Sequence, residues 1–350
     1  MIGVGVRTPG GALEILDLPE PREPGAGELV LEVVAAGIGP WDALLHTGGW
    51  DVGLVPPAAL GVEGVGRVAA TGPGETEFRT GDLVIVHEAP LPGGSGTWAE
   101  KALVSSAHVA RVPDGLAPAV AAGLPVAGLT AQQALDELQV VAGSRLLVVG
   151  ASGPTAALAV QLAHSRGADV VAGAGLAHAD RLRSLGAADV VDTHVNGWAH
   201  KVGRRFDAVL IAATGTAADA MELLVDGGRL TSITSDAPAP VRGIATSDLY
   251  VQPDGRALGE LAALAAAGDL RLEVETTPVG GALPMWGRCA RVYHGTGPAW
   301  PLRRCGASLP PTSRPAVFFL QRASEGQKGP PPLEREVGGH FGSFSGLEGF

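Results

Sequence analysis

The sequence predicts an α/β fold in which a β-rich N-terminal domain is followed by a doubly wound, parallel-sheet domain. Three observations carry this. Up to about residue 120 the apolar runs are short and β-branched, and Gly/Pro turns separate them. From about residue 121 strand-length runs alternate with segments of helical spacing. One such unit, residues 145–175, reads strand, glycine turn, helix, strand. At 350 residues the chain is long enough for two domains.

In the first part the runs 29–34, 65–69, 83–87 and 102–109 read as strands, bounded by turns such as "PGAG", "GPGE" and "LPGGSG". In the second, strands are expected at 146–150, 169–172, 189–191, 207–212 and 228–233, with a sixth near 242–251. The domains expected are therefore 1–120 and 121–252, with 253–285 returning to the first.

Residues 286–350 differ in kind. They carry net charge +4 where residues 1–285 carry −15, they hold both cysteines, and stretches such as "SLPPTSRP" and "QKGPPPLE" keep no period. This composition reads as a poorly ordered tail. Text rich in arginine, proline and glycine is also what a shifted reading frame gives in a GC-rich gene, and protease is expected to trim the chain near 285.

Composition narrows the function classes. Hydrophobic residues at 46% and charged residues at 17% fit a globular enzyme. A net charge of −11 argues against a nucleic-acid footprint or a polybasic membrane surface. Residues 1–20 lack a basic-then-apolar leader, and no uninterrupted apolar run of about 18 residues follows. A cytoplasmic location is expected. With cysteine only at Cys289 and Cys305, no Cys-rich zinc lobe can form and the main body has no thiolate.

The stretch "GASGPTA" bears the first piece of chemistry. Unpaired N–H groups and the helix dipole favour an anion at the start of the helix after the first parallel strand. Ser152, Gly153, Pro154, Thr155 and Ala156 occupy those places: Pro154 suits the first helical turn, Thr155 adds a hydroxyl, and Ala156 stays small. A full dinucleotide fingerprint has three glycines, so on this stretch alone a crossover that binds nothing is an equal reading.

In an NAD site an acid about 20 positions later accepts the ribose 2′-OH. Here Gly173-Ala174-Gly175 stand instead, with His178, Arg181 and Arg183 following. Arg181, nearest the strand end, is the candidate for a 2′-phosphate and hence for NADPH; a solvated helix face is the alternative. In "DAVLIAATG" the small residues Ala213, Thr214 and Gly215 at a strand end permit close approach of a ribose or nicotinamide.

The order of these motifs resembles the medium-chain dehydrogenase/reductase superfamily, and within it the zinc-free quinone oxidoreductase branch, over roughly residues 1–280. "LVLEVVAAGIGPWDALLHTGG" is similar to the family's segment leading into the substrate cleft, "PAALGVEGVGRV" to its next strand, and "GTWAEKALVSSAHVARVPDGL" to the closing strand of its catalytic domain. "AAGLPVAGLTAQQAL" resembles the helix that enters the Rossmann domain. The resemblance implies a GroES-like catalytic domain plus a Rossmann domain, a nicotinamide cofactor and a homodimer. Zinc-containing relatives place cysteine and histidine ligands where this chain has Gly37 and Val62, so no metal is expected. His46 and His87 are expected to be core or surface residues.

Without zinc, the resemblance implies hydride transfer to an activated acceptor, a quinone or an α,β-unsaturated carbonyl compound. It suggests four cleft residues: Trp41 to stack on a planar acceptor, Asp42 near the cofactor, Thr130 near the nicotinamide, and Tyr250 as a lining aromatic. Trp41 reads equally as packing, and Asp42 as an N-cap. An enoyl reductase of polyketide or fatty-acyl type, and a nucleotide-binding protein without turnover, are the alternatives.

Overall fold

The computed structural model describes residues 1–48, 53–92, 94–202, 205–278 and 316–319. Strands β1 (Ile2–Val6), β2 (Glu14–Asp17) and β3 (Glu28–Ile38) lead to helix α1 (Trp41–Thr47), and β4 (Ala58–Ala59), β5 (Glu63–Thr71), β6 (Leu83–His87), β7 (Lys101–Ser105) and β8 (Val109–Arg111) follow. Helices α2 (Pro118–Ala122) and α3 (Pro125–Glu137) connect to the second part. There β9 (Arg145–Val149), α4 (Pro154–Ser165), β10 (Asp169–Gly173), α5 (Ala179–Ser184), β11 (Asp189–Val191), α6 (Trp198–Val202), β12 (Phe206–Ile211), α7 (Ala217–Met221), β13 (Leu224–Ser232) and β14 (Ala245–Asp248) alternate. Helix α8 (Gly255–Ala267), β15 (Glu275–Pro278) and β16 (Ala316–Phe319) close the described chain.

The antiparallel part has β1 between β2 and β4, and a second sheet in the order β15-β16-β3-β5-β6-β8, with β7 also on β3. The parallel part is one six-stranded sheet, β11-β10-β9-β12-β13-β14. The expected fold class is the one observed, sixth strand included. Leu146 to Val149 are fully buried, which is why this central strand reads as an unbroken apolar run. The run 102–109 is two strands, because Ser106–His108 form a turn of 3₁₀ helix between β7 and β8.

Within the tail that reads from sequence as poorly ordered, Ala316–Phe319 form a strand: β16 lies between β15, to which it is parallel, and β3, to which it is antiparallel, with Val317 opposite Gly37. "AVFF" has strand composition but is only four residues long, too short to show a period within polar, Pro-rich text. The rest of the tail, with Cys289 and Cys305, lies outside the described residues. No helix among the described residues is long and apolar enough to cross a membrane.

Candidate cofactor and substrate site

The parallel sheet reverses its strand order between β9 and β12, the place where open α/β sheets bind ligands at their carboxyl ends. Three expected segments meet there. The N–H groups of Gly150 and Ala151 both donate to the carbonyl of Gly173, at 2.9 and 3.0 Å. Gly150 has φ +82°, and a β-carbon on it would lie 2.8 Å from the Ala212 carbonyl and 2.9 Å from Cβ of Ala213. The turn, the end of β10 and the end of β12 are thus one crevice.

Helix α4 opens with Gly153 at its N-cap and Pro154 in its first turn, and no side chain caps it. A β-carbon on Gly153 would meet only the Gly150 carbonyl, at 3.5 Å, so the space before the helix is open. Unpaired first-turn donors facing open space fit a pyrophosphate. Ser152 and Thr155 are half-buried at this opening, while the Ala156 side chain is packed into the core behind it. The Arg181 guanidinium reaches the Ser152 carbonyl at 3.5 Å, which sets it beside the turn. The Thr193 methyl fills the space over Gly173 and the His194 ring that over Gly175, so the loop after β11 walls this end.

At the other end of the crevice the Thr216 hydroxyl donates to the Ala213 carbonyl at 2.6 Å, and the Gly215 N–H donates to Oδ2 of Asp236 at 2.7 Å. Oδ1 of Asp236 accepts from the hydroxyls of Ser232 and Thr234 at 2.7 and 2.8 Å. Burial pushes this carboxyl up, but the Gly215 amide and the two hydroxyls together hold it below the usual range.

The substrate-side candidates start at α1. The Trp41 indole packs against Gly39, where any side chain would collide with it, and its Nε1 is buried without a hydrogen-bond partner. Asp42 is fully buried and is the second residue of α1; Pro40 holds the N-cap, so the N-cap reading of Asp42 is corrected. Its Oδ2 accepts the Gly39 N–H at 2.8 Å, while Oδ1 is buried with no full hydrogen bond. Burial pushes Asp42 up to about 8 against the pull of the Gly39 and Gly61 amides.

Next to it stands Glu63, the first residue of β5, 2% exposed. Its Oε2 accepts the Val126 N–H at 2.9 Å and so serves the first turn of α3, whose own N-cap residue, Leu124, offers no side-chain bond. Burial pushes Glu63 up to about 8 as well, with the Val126 amide opposing and the nearby Asp42 adding to the rise. Thr130 lies one turn beyond Val126 on α3 and is 8% exposed. Gln133, further along the same helix, exchanges two hydrogen bonds with the backbone of Gln252, at 2.7 and 2.9 Å. Tyr250 is 67% exposed, and its hydroxyl is 3.1 Å from that of Ser235 in the loop after β13. The structure therefore gathers Asp42 and Glu63 at the foot of the Thr130 helix and sets Tyr250 on the β13 side.

The places of the zinc ligands are otherwise used. A β-carbon on Gly37 would lie 2.5 Å from Oε1 of Glu63, and the Gly37 carbonyl accepts the Trp98 indole N–H at 2.8 Å. His87 is buried and donates from Nδ1 to the Val62 carbonyl at 2.9 Å, and burial pushes its imidazole down to about 4. His46 donates from Nε2 to the Gly11 carbonyl at 2.7 Å. Among the described residues no group of three or more His, Cys, Asp or Glu side chains could hold a metal ion.

Sequence reasoning missed Glu63, Gln133, Gln252 and Asp236. Glu63 had a signal, a lone carboxylate within the apolar stretch "ALGVEGVG"; the other three are polar residues in polar or helical text and carry none.

Comparison with known proteins bears on this geometry. The family model described as alcohol dehydrogenase GroES-like domain matches residues 25–114, and that described as zinc-binding dehydrogenase matches 185–280. The chain is 35% identical over 284 residues to erythronolide synthase EryA2 of Saccharopolyspora erythraea; that is 75% of this chain but 8% of that much longer protein. It is 34% identical to the chloroplast envelope quinone oxidoreductase homolog of Arabidopsis thaliana, over 65% of this chain and 72% of that one. The fold matches the crystal structure of CurK enoyl reductase with a TM-score of 0.73 at 20% identity, over 91% of this chain and 98% of that one. With a GroES-like antiparallel part, a six-stranded parallel sheet and no ligand side chain at 37 or 62, the chain belongs to the medium-chain dehydrogenase/reductase superfamily, in its zinc-free quinone oxidoreductase branch.

Proposed function

We propose that the chain is a metal-independent reductase that uses NADPH to reduce a quinone or an α,β-unsaturated carbonyl compound. The observation that carries the cofactor choice is Arg181, held against Ser152 beyond a strand, β10, that ends in Gly173 with no carboxylate. Arg181 would take the 2′-phosphate, the Ser152–Ala156 turn the pyrophosphate, and Gly173 and the Ala213–Gly215 segment the riboses and ring. When bound, the nicotinamide supplies the hydride.

The chain's own residues do the rest. Trp41, half-buried at the start of α1, offers an aromatic face to a planar acceptor. Asp42, fully buried beside it with its carboxyl near 8, is protonated at neutral pH and keeps this wall uncharged. Thr130 and Tyr250 add hydroxyls at the two sides. A homodimer and a cytoplasmic location belong to the same reading. Among the described residues β14 is an outer strand of the parallel sheet, and exposed Val241 beside it supports the dimer.

The likeness to EryA2 and to CurK enoyl reductase favours a second reading, reduction of an enoyl thioester. Fluorescence titration with NADPH and NADH, followed by turnover with a benzoquinone, a simple enone and a crotonyl thioester, separates the possibilities. Turnover of the first two acceptors supports the main reading and turnover of the thioester alone the second. NADPH binding with no turnover of any acceptor leaves a nucleotide-binding protein.

A further inference from the structure

We propose that Asp236 is a positioning residue that holds the segment Ala213–Gly215 in place for the nicotinamide half of the cofactor, acting through the Gly215 N–H. The inference rests on the cofactor reading above and concerns a residue outside the binding turn.

Gly215 has φ +79° and would have nothing within 4 Å of a β-carbon, so side-chain packing does not fix this segment. The Thr216-to-Ala213 hydrogen bond shapes it internally. The bond from Gly215 to Asp236, 2.7 Å long, ties it to the next loop.

Asp236 is itself anchored from the core. Ser232, fully buried at the end of β13, donates to Oδ1 at 2.7 Å and is 3.0 Å from the Thr234 hydroxyl, which donates to the same oxygen at 2.8 Å. The following Ala237 N–H donates to Oδ1 of Asp248 on β14 at 3.0 Å. A rigid strand end therefore sets the carboxylate, and the carboxylate sets Gly215.

Charge fixes which half of the cofactor this concerns. The hydrogen bonds keep Asp236 ionised, and an anion cannot serve a phosphate. The loops carrying Arg181 and Asp236 follow β10 and β13, three strand spacings or about 14 Å apart across the sheet. The uncharged nicotinamide ring is the part of the ligand that tolerates an anion behind the segment it touches.

The test uses the full chain with two ligands, NADPH followed by fluorescence and adenosine 2′,5′-bisphosphate by calorimetry. The second keeps the Arg181 end and lacks the nicotinamide. Asp236→Ala should weaken NADPH roughly tenfold, the loss expected for one hydrogen bond to a charged group, and leave adenosine 2′,5′-bisphosphate unchanged. Asp236→Asn keeps one carboxamide oxygen for the Gly215 N–H and should recover most of the NADPH affinity. Unchanged NADPH binding in Asp236→Ala, or equal weakening of both ligands, overturns the positioning role. Failure of the unaltered chain to bind either ligand overturns the cofactor reading and this inference with it, and is distinguished from the other outcomes by needing no variant.

Discussion

The carboxyl of Glu63 occupies the space above Gly37, with Oε1 2.5 Å from where a β-carbon on residue 37 would stand. One residue therefore makes a ligand side chain at 37 incompatible with the fold, since Glu63 is fixed from its other oxygen by the Val126 N–H. Purified protein is expected to contain no stoichiometric zinc by elemental analysis, and chelator should leave reductase activity unchanged. Activity lost to chelator and restored by zinc would contradict the mechanism. Gly37→Ala should lower unfolding stability by about 1–3 kcal/mol through overpacking, read by denaturant titration.

Asp42 and Glu63 each have a carboxyl raised to about 8 by burial. For an acid raised above its unfolded value near 4, the folded state holds more protons than the unfolded state between those two values. Stability from the pair is thus complete below about pH 4 and falls as pH rises toward about 8, by up to about 1.4 kcal/mol per pH unit for each group. Glu63→Gln, which has no proton to lose, should flatten the fall in melting temperature between pH 5 and pH 8. An equally steep profile in this variant would show that the folded state does not hold the Glu63 proton more tightly than the unfolded chain does.

Arg181 stands beside Ser152 with its guanidinium on the β10 side of the turn. Arg181→Ala should weaken NADPH by about tenfold or more, the range of a charge-assisted bond, and change NADH little, since NADH has no 2′-phosphate. Parallel titrations of both nucleotides read this directly. Equal losses for the two would assign Arg181 to the turn and not to the phosphate.

Much of the fold was legible because burial leaves a periodic trace. Leu146 to Val149 are apolar on both faces of a central strand, and Pro154 and Gly153 mark a helix start, so the parallel unit could be read from residues alone. Of the candidate site, the sequence points to the backbone and small residues Gly153, Gly173 and Gly215, which the structure brings to the same end of the parallel sheet. The site was hidden where a side chain acts across long sequence separation. Glu63 meets Val126 at a separation of 63, and Gln133 meets Gln252 at 119, pairings that no local pattern encodes. Asp42 was noticed, but its unmet Oδ1 follows from burial by other elements.

The last prediction concerns β16, the four residues that the composition of the tail concealed. Val317 stands opposite Gly37 on β3, and among the described residues β15 joins the sheet through β16. Removing β16 would open the edge of β3 from Ala35 to Ile38 that β16 covers, while β7 still covers Glu28 to Glu32 and β5 still pairs the other side. A chain ended after residue 285 should melt at a lower temperature and aggregate more readily than the full chain. Val317→Pro should reproduce the loss without shortening the chain, because proline removes a ladder N–H from an interior strand. Ending the chain after residue 319 keeps the ladder and should leave the melting temperature unchanged. If the chain ended at 285 and the proline variant both melt like the full chain, the sheet does not depend on β16, and protease should then trim the tail near 285 without loss of the folded domains.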